Sequence, residues 1–215
     1  MVFRQTWAIE RGALWAMELD GNSPPQALPH IAATFGELGR LDAPHLAAAM
    51  HIDDITPITR RFDTGRRCIA ALVNGDIAAY GWISQSGVEC IGELNQPFHI
   101  AVGEAYIWDC ATLVPYRNQH LYRALLCYAV IMLRGEGIRR LWIGAMLRNL
   151  PSLRGMNAAG FQPVVTITYA RLFSLHHRHI ASYATTSPDL VTAARRCLIT
   201  CNRGVQHDNR SICGC

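Results

Sequence analysis

The sequence contains no lysine, and all 20 of its basic residues are arginine. This absence is typical of GC-rich codon usage, and a selected role for it is the alternative interpretation. Charged residues make up only 17% of the chain, whereas 50% of its residues are hydrophobic. This composition excludes a chain that is disordered throughout. The length of 215 residues suffices for one domain with a real core and some additional chain.

The sequence also lacks a long hydrophobic run. Its longest unbroken apolar stretch, residues 124–133, is about half as long as a bilayer span requires. The first residues, MVFRQTWAIERG, carry charges where a signal peptide has an apolar segment. We therefore expect a soluble, cytoplasmic protein without a membrane partner.

A broad excess of positive charge is missing from most of the chain. Residues 1–170 hold 14 arginines and 14 acidic residues, and residues 171–215 hold six arginines and two aspartates. The net charge of +4 therefore comes from the last part of the chain alone. Because nucleic-acid binding usually requires a basic surface, nucleic acid is not an expected partner.

Standard metal-binding patterns are absent as well. Cysteines and histidines cluster in the last part of the chain, at Cys197, Cys201, His207, Cys213 and Cys215, after a patch at His176, His177 and His179. The cysteine spacing, C-x3-C-x11-C-x-C, matches no usual zinc site. We interpret these residues as free thiols and a solvated polar turn, and we predict no metal.

Hydrophobic periodicity and turn residues divide the chain into three parts. Residues 1–66 are expected to give a strand and helices of the same domain. Residues 67–173 form the core, and residues 174–215 form a basic, cysteine-rich tail that is loosely ordered. The boundary at 67 marks the point where short apolar strands and strong turn signals begin.

The core shows alternating strand and helix signals. Asn74-Gly75 is the strongest hairpin signal in the sequence. The predicted elements are strands at 68–73, 76–84 and 104–113, a helix at 120–134, a strand at 140–145, a helix at 150–159 and a strand at 161–173. Because a hairpin is followed by strand–helix crossovers, the fold class is α/β (α+β), with a mixed central sheet flanked by helices.

Two stretches within this core suggest chemistry. The first, TLVPYRNQHLYRALL at 112–126, is a strand, a turn and a helix. A turn that opens into a helix presents free N–H groups and the positive end of the helix dipole, which together favour a phosphate group. Arg117 adds a cation at this position. An ordinary strand-to-helix connection is the alternative interpretation.

The second stretch, NLPSLRGMNAAGF at 149–161, begins a helix directly after a buried strand. Asn149 and Ser152 lie one helical turn apart. Alone, this pattern favours simple helix capping by both side chains.

Taken together, the two stretches resemble the GCN5-related N-acetyltransferase superfamily. The first family signature is Arg/Gln-x-x-Gly-x-Gly/Ala after a strand and a tyrosine, and it stands here as YRNQHLYRALL at 116–126. The second runs from Asn-x-x-Ala/Ser to Gly-Phe, and Asn149, Ser152, Gly160 and Phe161 fit it without a gap. The resemblance covers residues 67–173, about half of the chain.

The resemblance implies a splayed sheet that binds acetyl-CoA, or another acyl-coenzyme A, as co-substrate. The pantothenate arm would enter where the two middle strands part, and the pyrophosphate would bind the amides after that strand. The implied binding residues are Cys110, Thr112, Leu113, Arg117, Asn118, Gln119, His120, Leu121, Tyr122, Asn149 and Ser152.

Three departures from the family pattern stand out. Family glycines are replaced by Asn118 and His120, whose side chains crowd the phosphate position. Tyr122 replaces a small residue. Many members carry a tyrosine that is thought to protonate the departing thiolate, and that position is Met156 here, which cannot donate a proton. A thiol, with a pKa near 8–9, is nevertheless a fair leaving group.

The implied reaction is direct attack of a neutral amine on the thioester, with a carboxylate as general base and a backbone N–H for the oxyanion. Asp109 and Glu104 are the candidate catalytic residues on the third core strand. Their odd spacing places them on opposite faces unless a bulge intervenes. Asp109 is the better candidate because it lies closer to the expected splay, and Glu93 is a further one.

Three aromatic residues, Trp82, Tyr106 and Trp108, are candidates for an acceptor pocket or for the core. The expected function is acyl transfer from acyl-coenzyme A to a small-molecule or peptide amine. The alternative is a non-catalytic member of the same fold that binds coenzyme A or a partner.

Overall fold

The computed structural model describes residues 7–20, 26–91, 94, 96–173 and 175–198. Glu93, Cys201, His207, Cys213 and Cys215, named above as candidates, lie outside the described residues. Among the helices of the described part, none combines the length and the apolarity that a membrane span requires.

The described residues form ten strands and five helices. The strands are β1 (Trp7–Glu18), β2 (Thr34–Leu38), β3 (Arg67–Val73), β4 (Asp76–Ser84), β5 (Val88–Ile91), β6 (Gln96–His99), β7 (Glu104–Thr112), β8 (Arg140–Met146), β9 (Gln162–Leu172) and β10 (Leu175–Ser182). The helices are α1 (Ala43–Met50), α2 (Thr56–Asp63), α3 (Leu121–Gly135), α4 (Leu150–Ala158) and α5 (Pro188–Cys197).

Eight of the strands form one mixed sheet in the order β10-β9-β1-β8-β7-β4-β3-β2, and β5 and β6 form a separate two-stranded sheet. The pair β7–β8 is parallel, whereas the other neighbours in the large sheet are antiparallel. The prediction of a mixed sheet flanked by helices is therefore confirmed.

The predicted hairpin between β3 and β4 forms at the expected turn. Asn74 and Gly75 have φ values of 53° and 90°. Positive φ at both central residues is the requirement of the tight two-residue turn that follows the strand twist. The turn fixes the register of β3 and β4, and thereby the position of β4 beside β7.

The two faces of the large sheet are covered by different elements. On one face, α3 and α4 pack against residues such as Ile83 and Ile107 in one apolar cluster. On the other face, α1 and α2 pack around Trp82, and α5 packs with the β5–β6 hairpin around Trp142. The first face is called here the α3 face and the second the α2 face.

The last part of the chain differs from the expected loose tail. Residues 175–182 form β10 at the edge of the sheet, and α5 packs against β9. The side chain of Ser187 caps α5 by accepting a hydrogen bond from the Leu190 amide at 3.3 Å. Strand β10 buries few side chains, so its sequence carries little of the alternation that identifies a strand.

Candidate active site

The large sheet opens between its two middle strands. Strands β7 and β8 pair over four positions, from Glu104 with Arg140 to Ile107 with Ile143. Beyond them, β7 remains paired with β4 and β8 remains paired with β1. The facing edges of residues 108–112 and 144–146 are therefore not joined by a ladder. Because backbone polar groups need partners, this gap can take hydrogen bonds from an extended ligand.

A β-bulge lies at the start of the gap. The register of β7 against β4 shifts so that Asp109 and Cys110 together oppose Gly81. Asp109 has a φ of 44°, a left-handed conformation that aspartate tolerates better than most residues. A Cβ atom on Gly81 would lie 2.8 Å from the Cys110 Sγ, so a glycine is needed opposite the bulge. This bulge brings the Asp109 side chain to the α2 face, where it meets Arg61.

The turn that follows β7 keeps the backbone of a glycine-rich loop without the glycines. Asn118 and His120 have φ values of 63° and 59°. For residues with a side chain, this conformation costs roughly 1–2 kcal/mol each. Within the described residues, the amides of residues 118–123 donate no backbone hydrogen bond. These amides and the positive end of the α3 dipole form a potential anion site.

A segment from the N-terminal part of the chain packs against this turn. The backbone N–H of His30 donates to the carbonyl of Gln119 at 3.0 Å. The rings of His30 and His120 lie 4.0 Å apart. Arg117 is exposed, and its Nε donates to the Thr112 carbonyl at 3.3 Å. The His30 contact places a second imidazole at the turn, which the sequence did not indicate.

Other residues predicted to bind the co-substrate serve the fold. Leu121 is buried at the start of α3, and the Leu113 amide donates to the carbonyl of Ala78 at 2.9 Å. Asn149 caps α4, because its Oδ1 accepts from the Ser152 amide at 3.3 Å. These contacts fit the capping and core interpretations and leave a binding role as a prediction.

Tyr122 joins α3 to α4. Its hydroxyl lies 3.1 Å from the Ser152 Oγ, and either atom can donate. Its ring lies 2.5 Å from the position that a Cβ atom on Gly155 would take. Burial raises the pKa of the Tyr122 phenol. The hydroxyl of Ser152, in turn, lies 3.7 Å from the buried Met156 sulfur. The face beside the gap therefore carries a neutral pair of hydroxyl groups.

Glu104 lies at the end of the paired β7–β8 segment that is farther from the gap, and it is almost fully buried, with 2% of its side chain exposed. Arg140 donates to its Oε1 at 2.6 Å, and the Trp142 indole donates to its Oε2 at 2.6 Å. Burial, followed by the nearby Glu104 charge, raises the pKa of the Cys197 thiol to about 12. Both carboxylate oxygens of Glu104 therefore already accept hydrogen bonds within the fold.

Asp109 lies beyond the last β7–β8 pair and is partly exposed. The Nη1 of Arg61, on α2, donates to its Oδ2 at 2.5 Å. The Arg61 guanidinium also lies 4.9 Å from the Trp82 ring centre and 4.7 Å from that of Trp108. Asp109 is thus paired with a cation that two aromatic rings hold in place.

The three aromatic candidates divide between the core and the site. Trp82 and Tyr106 are buried, as the core interpretation predicts. Trp108 is half-buried where the apolar clusters of α2 and of α5 meet. Its Nε1 donates to the Ser84 Oγ at 3.0 Å. Of the three, Trp108 is the one that lies beside the gap.

Sequence reasoning missed a second charged pair on the α2 face. Arg66, just after α2, donates through Nε to the Glu89 Oε1 at 2.7 Å. The Ser84 hydroxyl donates to the same oxygen at 2.7 Å. The only available signal was a carboxylate, Glu89, in an otherwise apolar strand, which predicts a partner without identifying it.

No group of three or more potential metal ligands converges in the part of the chain that the structure describes. Of the histidine patch, His176 lies on β10, where its Nδ1 is 2.6 Å from the Tyr169 hydroxyl.

Comparison with known proteins points to one family. The model of the acetyltransferase (GNAT) family matches residues 37–161. A GCN5-related N-acetyltransferase from Sphaerobacter thermophilus is similar in structure, with a TM-score of 0.55 and 15% identity over 83% of this chain and 55% of that chain. A GNAT-family acetyltransferase from Colwellia psychrerythraea gives a TM-score of 0.52 and 12% identity over 79% of this chain and 57% of that one.

A structure from Novosphingobium aromaticivorans that is assigned to the GNAT family gives a TM-score of 0.51 and 18% identity, over 86% of this chain and 71% of that chain. At these identities the similarity concerns the fold. No curated protein matches the sequence.

Proposed function

The chain belongs to the acetyltransferase (GNAT) family, and from this premise we propose that it transfers an acetyl or other short acyl group from acyl-coenzyme A to an amine. The observation that carries the proposal is the gap between β7 and β8, which opens beside the free amides at the start of α3. A phosphate group at these amides and an extended arm in the gap would use backbone groups that have no backbone partner within the described residues.

The residues around the gap fit acyl-coenzyme A in charge and shape. The amides of residues 118–123 and the Arg117 guanidinium would hold the pyrophosphate. The edges of β7 and β8 would hold the pantetheine arm, whose thioester supplies the activated acyl group. The side chains of Asn118 and His120 are compatible with this role because their backbone already has the left-handed conformation of a glycine.

The amine requires a base, and we propose Asp109 rather than Glu104. Asp109 lies beside the gap and is partly exposed, whereas Glu104 is buried at the end of the paired β7–β8 segment that is farther from the gap. An acceptor amine that approaches the gap on the α2 face would displace the Arg61 guanidinium from Asp109 or share the carboxylate with it. The carboxylate could then accept the proton of the amine.

Two hydroxyl groups on the α3 face could donate a hydrogen bond to the leaving thiolate. Met156 has no proton to give, but the paired hydroxyl groups of Tyr122 and Ser152 lie next to it. Because burial raises the pKa of Tyr122, its phenol remains protonated at neutral pH and can donate a hydrogen bond. We propose that this pair stabilises the leaving thiolate by hydrogen bonding, in place of the missing tyrosine.

Thermal unfolding with coenzyme A tests binding, and release of coenzyme A from acetyl-CoA with a panel of amines tests transfer. A ligand that binds the folded state raises the melting temperature. We expect a rise with 1 mM coenzyme A that is smaller in R117A, and no such loss in R60A, which removes an exposed arginine from α2. No rise at millimolar coenzyme A would contradict the proposal.

A non-catalytic coenzyme A-binding protein is the second candidate, and the Tyr122–Ser152 contact is the observation that favours it. The Tyr122 phenol is hydrogen-bonded to the hydroxyl of Ser152, a residue that was predicted to contact the pantetheine arm. This candidate predicts stabilisation by coenzyme A without release of its thiol for any amine. Amine-dependent release would exclude it.

A further inference from the structure

A small polar cavity lies on the α2 face next to Trp108. Its volume is about 230 Å³, and its wall consists of residues 64–66 after α2 and residues 84–89 at the end of β4 and the start of β5. Ordinary ligand pockets measure roughly 300–1,000 Å³. The cavity therefore has room for the polar end of a molecule rather than for a whole large ligand.

Glu89 supplies the negative charge of this cavity. The residue is 8% exposed. Both of its recorded hydrogen bonds, from Arg66 and from Ser84, end on Oε1. Within the described residues, Oε2 accepts no hydrogen bond. Because a carboxylate has two acceptor oxygens, Glu89 can accept a further hydrogen bond at Oε2 from an ammonium or N–H group of a ligand.

Arg66 supplies the positive charge. Its Nε donates to Glu89, and its Nη1 donates to the Thr64 Oγ1 at 2.5 Å. Within the described part of the chain, Nη2 has no hydrogen-bond partner. The guanidinium is therefore held by two contacts and retains donor groups on one side. A planar guanidinium with free donors is well suited to a carboxylate.

A cavity with one free carboxylate oxygen and one free guanidinium nitrogen selects its ligand by charge. A simple amine would gain at Glu89 and be repelled by Arg66, and a simple carboxylate would meet the reverse. We propose that the cavity binds the zwitterionic head of an α-amino acid, with its ammonium group at Glu89 and its carboxylate at Arg66.

This site deepens the proposed function, on which it rests, by naming the class of acceptor. Ser84, whose hydroxyl donates to Glu89, accepts a hydrogen bond from Trp108. Trp108 is the first residue of β7 beyond the last pair with β8. An amino acid held in the cavity is thus separated from the gap by a single indole. If the α-amino group is held at Glu89, a second amino group is needed to reach the gap, so the acceptor class that this site implies is amino acids such as lysine.

Titration calorimetry on the unmodified chain with three ligands tests the site without any substitution. L-Lysine carries both charges of the head, 1,5-diaminopentane lacks the carboxylate, and 6-aminohexanoate lacks the α-amino group. We expect lysine to bind at least about tenfold more tightly than either analogue, because each analogue lacks the contact either to the free oxygen of Glu89 or to the free nitrogen of Arg66. Equal binding of the three compounds, or no binding of lysine at millimolar concentration, would overturn the proposal.

Two substitutions locate the site, and one serves as a control. E89Q and R66Q should each weaken lysine binding by about tenfold or more and reduce the preference over the matching analogue. D63N, which removes a carboxylate from an exposed ion pair on α2, should leave binding unchanged. Unchanged lysine binding in both E89Q and R66Q would place the ligand elsewhere and overturn the proposal.

Release of coenzyme A with the same compounds separates this inference from the proposed function. Release that is as efficient with 1,5-diaminopentane as with lysine would support acyl transfer and overturn the amino acid site. Selective lysine binding without release for any amine would support the site and contradict acyl transfer.

Discussion

The polar groups near the gap are neutral on the α3 face and belong to ion pairs on the α2 face. On the α3 face, Tyr122, Ser152 and Cys110 are neutral, and burial raises the pKa of the phenol and of the thiol. On the α2 face, Asp109 and Glu89 are each paired with an arginine. The proposed acyl transfer would use this difference, with the hydroxyl groups of the α3 face near the leaving thiolate and Asp109 of the α2 face near the amine.

The largest effect on stability is expected at Glu104, which is a deeply buried carboxylate on the α2 face. E104A removes the carboxylate that Arg140 and Trp142 both contact, and it leaves Arg140 with a weaker partner. Breaking a buried ion pair from one side costs about 3–5 kcal/mol. Denaturant unfolding should show a loss of this size in the free energy of unfolding.

The matched control for E104A is E18A. Glu18 pairs with the same arginine, but 41% of its side chain is exposed. An exposed pair contributes about 0–1 kcal/mol. Similar losses in the two variants would show that burial does not determine how much each ion pair contributes to the free energy of unfolding.

Substitution of Asp109 tests whether this partly exposed carboxylate on the α2 face is the catalytic base. Asparagine tolerates the left-handed backbone at this position, so D109N should keep the bulge while removing the base. Loss of a general base lowers the rate by about 100-fold or more. We expect kcat for coenzyme A release to fall by that factor, with the melting temperature within a few degrees of the original.

The control for D109N is D63N, whose carboxylate belongs to an exposed pair with Arg40. It should retain full activity. If D109N were as active as D63N, the base would have to be another group.

On the α3 face, the close packing of Tyr122 against Gly155 can be tested by substitution. A Cβ atom on Gly155 would overlap the Tyr122 ring, so G155A should lower the free energy of unfolding by about 1–3 kcal/mol. The double variant Y122A/G155A should lose less than the sum of the two single changes, because the overlap is gone. Gly36 in β2 has no atom within 4 Å of its Cβ position, so G36A is the control. An additive double-mutant cycle would contradict this contact.

The smallest effect is expected at the turn before α3. H120G relieves the strain of a left-handed histidine but increases the freedom of the unfolded chain, so we expect stability to change by no more than about 1 kcal/mol. Removal of the imidazole uncrowds the amides, and the affinity for coenzyme A, measured by calorimetry, should stay equal or rise. A marked loss of affinity would instead indicate that His120 contacts the phosphate.

Local signals in the sequence predicted the parts of the fold that depend on neighbouring residues. Asn74-Gly75 specified its turn through backbone conformation alone, and β4 formed over the predicted residues 76–84. Strand β10 was missed because an edge strand with few buried residues has little alternation. Helix α5 was missed although Ser187 and Pro188 supply start signals, since the surrounding cysteines and arginines suggested a loose tail.

The site was predicted less completely, for a physical reason. The turn after β7 and the start of α4 were visible because their functional groups belong to one short segment. Arg61 and Asp109 are 48 residues apart, and Arg66 and Glu89 are 23 apart. The first pair forms because the fold brings α2 beside β7, and the second because it brings the segment just after α2 beside β5. A single sequence does not contain that information. For the same reason, the sequence did not show whether a bulge turns Asp109 to the α2 face.

The pairing of β7 with β8 also has a mechanical consequence. Four residue pairs join the half of the sheet that contains β8 to the half that contains β7, and the Glu104–Arg140 contact lies at the outer end of these four pairs. Any change in the width of the gap would therefore have to bend the sheet at these four pairs. The contact between the Glu104 carboxylate and the Arg140 guanidinium would resist such bending, because it joins β7 to β8. The strength of this ion pair would thereby limit how far the gap can open for a ligand.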